Sequence, residues 1–289
     1  MGATAAPEVT GFYHEVSGSI AYIVADPSTG RAAIVDSVLD YDEKAGRVSH
    51  EAADEMLAAI KARGLTIDWI LDTHPHADHF SAASYLKEKL GAPIAIGDKI
   101  TIAQEIWKKI YNIPDFPTDG SAWDKLFADG NTFRVGSLEG RVMLSPGHTA
   151  CSVTYIFSDA VFVHDTIFQP DSGTARCDFP GGSASEMYFT LQRILALPDR
   201  TRLFTGHDYR PNGRPAAWES TVAEQKRANI HLKNYPSADD FVRLREARDK
   251  TLPMPRLILH ALQVNLRGGR LPPPESNGRS YLKIPIGAL

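Results

Sequence analysis

Leu71-Asp72-Thr73-His74-Pro75-His76-Ala77-Asp78-His79 is the stretch on which the reading of this chain turns. Three histidines and two acids fall within eight residues, after a compact apolar run over Ile67–Asp72 that reads as a strand and before helical spacing over Asp78–Leu90. Pro75 keeps its neighbour out of helical dihedrals, so the imidazoles are expected to project from an irregular loop. Asp78 is expected at the helix start, where a carboxylate caps free N–H groups and also points inward. Imidazole nitrogens and carboxylate oxygens at this density suit zinc, iron or manganese, both as ligands and as the groups that orient ligands. The bland alternative is a solvated surface cluster.

Working outward, three further motifs place a histidine or an acid just after a strand-like run. They are Ser145-Pro146-Gly147-His148-Thr149, Val161-Phe162-Val163-His164-Asp165-Thr166 and Leu203-Phe204-Thr205-Gly206-His207-Asp208-Tyr209. Taken singly, His148 is an ordinary turn histidine and Asp165 an ordinary turn cap. Their shared position at strand ends is the specific signal, and the four motifs together hold six of the ten histidines.

Between the motifs the pattern is layered α/β. Val9–Glu15, Ile20–Ala25 and Ala32–Asp36 read as strands, His50–Arg63 as a helix stopped by Gly64, and Pro93–Ile96 as a strand. Lys99–Tyr111 is predicted helical, and the segment from Pro114 to Gly120 a loop. Thr132–Val135, Arg141–Leu144, Val153–Phe157 and Ala160–Val163 resume strand patterns; Ser183–Leu197 is a helix and Thr201–Thr205 a last core strand. From Pro215 the chain turns helical and charged, over Ala216–Lys233 and Asp239–Asp249, and then runs into a tail rich in Pro and Arg. No internal repeat supports a solenoid.

Composition narrows the function classes. The 289 residues are 43% apolar and 23% charged, which excludes a disordered or fibrous chain. With 31 basic and 35 acidic residues the net charge is −4, so the basic footprint of a general nucleic-acid binder is missing. No apolar run approaches the ~20 residues that span a bilayer. Met1–Pro7 lacks the basic and apolar regions of an export or transit signal. Two cysteines, Cys151 and Cys177, make no disulfide framework, and a reducing, cytoplasmic setting is expected.

With all four motifs in view, the chain resembles the metallo-β-lactamase superfamily: His74-x-His76-x-Asp78-His79, then His148, Asp165 and His207, in the family's order over roughly residues 9–212. The resemblance implies an αββα sandwich with the metal site at one edge. It places a catalytic domain at 1–212 and a helical and extended appendage, packed on the same domain, at 213–289. Folds of this kind host hydrolases and redox enzymes alike.

The stretch Thr166–Gly182, including Gly173-Thr174-Ala175-Arg176-Cys177-Asp178-Phe179, together with Gly206-His207-Asp208-Tyr209, is similar to the persulfide dioxygenases, the group of the ethylmalonic encephalopathy protein. That resemblance implies one Fe(II) per chain held by His74, His148 and Asp165, with His76, Asp78, His79 and His207 orienting the ligands. It implies oxidation of glutathione persulfide by O2 and water to sulfite and glutathione, in sulfide detoxification, by a homodimer or homotetramer. Arg176 would pair with a glutathione carboxylate or else with Asp178, and Tyr209 would lie beside substrate and iron or else be a core tyrosine with an internal partner. Where the superfamily commonly has Gly before the metal-binding Asp, this chain has His164, expected as packed scaffold or an extra donor to the ligands. Cys177 is expected to be a structural thiol and Cys151 a core residue.

The rival is a glyoxalase II-type hydroxyacylglutathione thioesterase with two metals, one on His74, His76 and His148, the other on Asp78, His79 and His207, bridged by Asp165. Lactonase activity is a weaker alternative, and a binding protein would need no complete ligand set.

Overall fold

One strand shows why the molecule is layered. In the computed structural model, which describes residues 6–289 apart from Tyr235, Ser19–Asp26 is buried along its whole length. Ile20, Tyr22 and Val24 face one apolar cluster with Val35, Leu71, Val153 and Phe162. Ala21, Ile23 and Ala25 face another, shared with Met56, Leu86 and Trp107. Successive side chains on a strand point to opposite faces, so a strand apolar on both faces needs a cover on each. The N-terminal signal reading falls in part on residues 1–5, which lie outside the described residues.

Among the described residues, the first sheet orders Glu8–His14, Ser19–Asp26, Arg31–Val35, Thr66–Leu71, Ile94–Gly97 and Lys125–Phe127, parallel from the third strand onward. The second orders Thr132–Val135, Leu138–Leu144, Val153–Phe157, Ala160–His164, Arg202–Thr205 and Glu219–Thr221, with one parallel pair at Ala160–His164 and Arg202–Thr205. Helices α1 (Glu51–Ala62), α2 (Ala83–Leu90) and α3 (Ile100–Tyr111) cover the outer face of the first sheet. Helices α4 (Ala184–Leu195), α5 (Val222–Ala228) and α6 (Ala238–Asp249) cover the second. Helix α7 (Ile258–Asn265) returns to the first side, where Ile258, Ala261 and Leu262 join the cluster of α3. The expected αββα sandwich is the fold observed.

Three local expectations are corrected. The helix predicted from Asp78 begins at Ala83, because Phe80–Ser81 pairs with Val38–Leu39 in a small separate sheet and Phe80 stacks on Tyr41 at 4.4 Å. Asp78 therefore caps no helix; its Oδ2 accepts from the Ser19 hydroxyl at 2.6 Å. Ala216–Lys233 is not one helix: Glu219–Thr221 extends the second sheet, and a capping box from Thr221 to Glu224 starts α5 only afterwards. Helix α7 lies in the tail for which no helix was expected, formed by the apolar run Ile258-Leu259-His260-Ala261-Leu262.

The two sheets are tied at one end through Asp26. Its Oδ1 accepts from the Ser28 amide at 2.9 Å, and its Oδ2 from the Ser137 amide and hydroxyl, each at 2.7 Å, across to the hairpin turn of the second sheet. Burial opposes the charge, but bonds from Ser28 and Ser137 outweigh it and hold the carboxyl below its usual range. Asp26→Ala is expected to lower stability in urea unfolding by about 2 kcal/mol at pH 7, the value of hydrogen bonds to a buried charge. A depressed folded-state pKa stabilises above the ordinary carboxylate value of about 4 and ceases to do so as pH falls below it. The gap between parent and Asp26→Ala should accordingly narrow in acid; a gap independent of pH would refute the assignment.

Candidate metal centre

All four motifs sit at one edge of the sandwich, because the strands that precede them end there. Thr66–Leu71 delivers Asp72–His79, Leu138–Leu144 delivers His148, Ala160–His164 delivers Asp165, and Arg202–Thr205 delivers His207. Close approach is built in at Gly206, where a Cβ would collide with the Asp165 carboxylate.

Hydrogen bonds fix which imidazole nitrogen faces the centre. The Asp36 Oδ1 accepts from the Thr73 amide at 2.7 Å and its Oδ2 from the Thr73 hydroxyl at 2.8 Å. With its proton so committed, the Thr73 oxygen accepts from His74 Nδ1 at 2.9 Å, which leaves the His74 Nε2 lone pair free. His148 Nδ1 donates to the Arg176 carbonyl at 2.8 Å, with the same result. Asp165 Oδ2 lies 3.9 Å from His74 Nε2 and 3.8 Å from His148 Nε2. These three atoms are mutually within 4.8 Å. Burial holds the pKa of both histidines below the usual imidazole value, which favours the neutral form a metal would need.

His207 is engaged on both sides. Its Nδ1 donates to Asp165 Oδ1 at 2.6 Å and its Nε2 to Asp78 Oδ2 at 2.8 Å. Burial works against a charge on this ring, yet Asp165 and Asp78 outweigh it and raise its pKa well above the usual value. For His76, burial is likewise outweighed by Asp36, 3.0 Å from Nε2, and the pKa rises to about 9. His79 donates from Nδ1 to the Phe80 carbonyl at 2.9 Å; burial lowers its pKa to about 4. His76, Asp78 and His79 form a second group within 4.8 Å.

The residues fit a metal. His74 Nε2 is buried without a protein partner, an arrangement that costs about 1–3 kcal/mol unless something accepts the lone pair. Two imidazole nitrogens and one carboxylate oxygen on one face suit ferrous iron or zinc.

A cleft of about 480 Å³ opens onto His148, Asp165 and His207 and is walled by Phe168, Phe179 and Tyr209. A larger depression of about 580 Å³ lies elsewhere, against Phe116 and Arg267, and contains no histidine. Tyr209 is exposed, and its ring stacks parallel to that of His207 at 5.6 Å, so it is no core tyrosine. Arg176 lines the cleft, but its guanidinium is spent on Asp178, at 2.7 and 2.8 Å, and on the Pro253 carbonyl at 2.6 Å. Arg248 lines the same cleft and, among the described residues, makes no ion pair. His164 is buried with φ +41°, its Nε2 bonded to Ser145 and Thr166 and its ring 5.3 Å from that of His74. Cys177 and Cys151 are buried free thiols, their pKa values raised by burial.

Asp36, Arg248 and the C-terminal residues near the site carry no motif in the sequence. Asp36 ends the strand Arg31–Val35, a placement it shares with Asp165, and that parallel was the available signal.

The model of the Metallo-beta-lactamase superfamily matches residues 15–207. A "Beta-lactamase hydrolase-like protein" of Xylella fastidiosa is 62% identical over 283 residues, 98% of this chain and 65% of that protein. The chain thus spans just under two thirds of that relative's length. "Glyoxylase B2" of Dictyostelium discoideum is 48% identical over 270 residues, 92% of each chain. The crystal structure of ETHE1 from Myxococcus xanthus superposes with a TM-score of 0.73 at 30% identity, over 91% of this chain and 100% of that one.

Asp165→Ala and His148→Ala, prepared anaerobically, are each expected to bind metal at least about tenfold more weakly than the parent, with the circular dichroism of the sandwich unchanged. Full metal content in either variant removes that residue from the ligand set.

Proposed function

This chain belongs to the metallo-β-lactamase superfamily, and from that premise we propose that it is an Fe(II)-dependent persulfide dioxygenase, with one iron per chain, converting glutathione persulfide, O2 and water into glutathione and sulfite. The observation that carries the reading is the double engagement of His207 by Asp165 and Asp78. With both His207 nitrogens taken up by carboxylates, the reading rests on the face formed by His74, His148 and Asp165. Two nitrogens and one carboxylate oxygen with open positions suit non-haem iron. The likeness to the ETHE1 structure supports the same reading.

Iron bound there would supply the redox chemistry that joins O2 to the outer sulfur. The protein's own groups do the rest. Thr73 and the Arg176 carbonyl hold the two ligand imidazoles in one tautomer. Phe168 and Phe179 give the cleft an apolar wall. Tyr209, which lines the cleft, would donate from its hydroxyl to an anionic sulfur or sulfite oxygen. Arg248, rather than the already paired Arg176, takes a glutathione carboxylate.

One observation favours a second reading. His76, Asp78 and His79 also converge, as a dinuclear glyoxalase II-type thioesterase would need, and the Dictyostelium relative is named a glyoxylase. We also infer that 213–289 is an appendage of the catalytic unit 1–212, supported by the pairing of Glu219–Thr221 with Arg202–Phe204. A homodimer or homotetramer in the cytoplasm belongs to the same proposal.

Metal analysis of anaerobically prepared protein is expected to give one iron per chain, with O2 uptake on fresh glutathione persulfide that His74→Ala loses. Two zinc ions per chain, no O2 uptake and hydrolysis of lactoylglutathione would establish the thioesterase instead. Arg248→Ala is expected to raise KM for glutathione persulfide about threefold with kcat little changed, the scale of an exposed ion pair; an unchanged KM removes Arg248 from the substrate site.

A further inference from the structure

Helix α6 is strongly charged, yet it buries a stripe of Phe241, Arg245 and Asp249 at helical spacing, with Arg245 1% and Asp249 3% exposed. Two ionised side chains taken out of water need a full set of partners. They find them in each other and in one loop. Arg245 Nε lies 2.9 Å from Asp249 Oδ1, Arg245 Nη1 donates to the Thr174 carbonyl at 2.7 Å, and Asp249 Oδ2 accepts from the Cys177 amide at 2.9 Å. Between those two anchors lies the Arg176 carbonyl, which takes the Nδ1 proton of His148.

The other histidine loop is held in a parallel way from α7. Asn265, 2% exposed, donates to the carbonyls of His76 at 2.7 Å and His79 at 2.8 Å, and accepts from the Ser81 amide at 2.7 Å. All three bonds of this amide go to the backbone that follows His74. Past the helix the chain runs so close to the same loop that a Cβ on Gly269, φ +83°, would lie 2.5 Å from the Ser81 carbonyl oxygen.

We propose that α6 and α7 form a clamp for the metal centre, with Arg245, Asp249 and Asn265 as positioning residues that set metal affinity without touching the metal. The inference rests on the three-ligand centre proposed above, not on which reaction it serves. A buried ion pair contributes little net stability, so its part here is to hold geometry.

The test measures Zn(II) affinity of the full chain by chelator competition, alongside urea unfolding of the metal-free protein. Asp249→Asn keeps the volume but turns an N–H donor on either the Cys177 amide or the Arg245 guanidinium; Asn265→Ala removes all three bonds to the histidine loop. Each is expected to weaken zinc about tenfold, as loss of groups that orient ligands does, and the double variant to lose close to the product, the two loops being gripped separately. Val135→Ala in the second sheet, destabilising but in an apolar cluster that holds no residue of α6 or α7, is expected to leave affinity within about twofold. If a clamp variant fails to fold, Arg245→Lys replaces it, read by a shift of the Co(II) absorption bands that lost stability alone would not produce. Unchanged affinity in folded clamp variants, unshifted Co(II) bands, or an equal loss in Val135→Ala would overturn the proposal. Retained zinc affinity in His148→Ala would overturn the ligand set and the clamp with it.

Discussion

The hydrogen bond from His207 Nδ1 to Asp165 Oδ1, at 2.6 Å, commits one oxygen of a buried carboxylate and leaves the other facing the free nitrogens of His74 and His148. The bond is charged on both sides. Burial alone would neutralise Asp165 and His207, but together they keep the carboxyl below its usual pKa and the imidazole above its own. Asp78 shares the same cation through the second ring nitrogen. One imidazolium between two carboxylates thereby orders the edge of the sandwich where the strands end.

In this family of folds the same residues can serve one metal or two, and the proposed one-metal reading turns on which imidazoles the protein itself engages. Here His207 is held by acids on both nitrogens, and His76 lies against Asp36. The His74 side is open because Thr73 accepts the proton that would otherwise leave its tautomer undefined. The distinction rests on hydrogen-bond partners, and no count of histidines reveals it.

Sequence reading reached what is encoded locally. The four motifs, their strand-end placement and the layered fold were legible, because alternation and strand–turn signals act over a few residues. Asp78 shows the first limit: helical spacing ran straight through Phe80, whose burial against Tyr41 draws the chain into a strand pair instead. Arg176 shows the second, since both candidate partners were chemically equal until the fold brought Asp178 and the Pro253 carbonyl to its fork. Asp249 and Asn265 show the third. A charged helix and an apolar stretch in the tail carry no local mark of what they will touch, more than 70 residues back in one case and 180 in the other.

Those separations have a consequence for how the protein is made. Synthesis runs from the N-terminus, and domains tend to fold as they emerge. The histidine loop leaves the ribosome with its strands and helices able to collapse, but Asn265, which fastens that loop, follows His79 only 186 residues later. On the clamp reading, a nascent chain carries its ligands in a slack arrangement and captures metal poorly until α7 has emerged. Metal is then taken up by chains that already carry α7, and a product cut short before it forfeits the ion along with the helix.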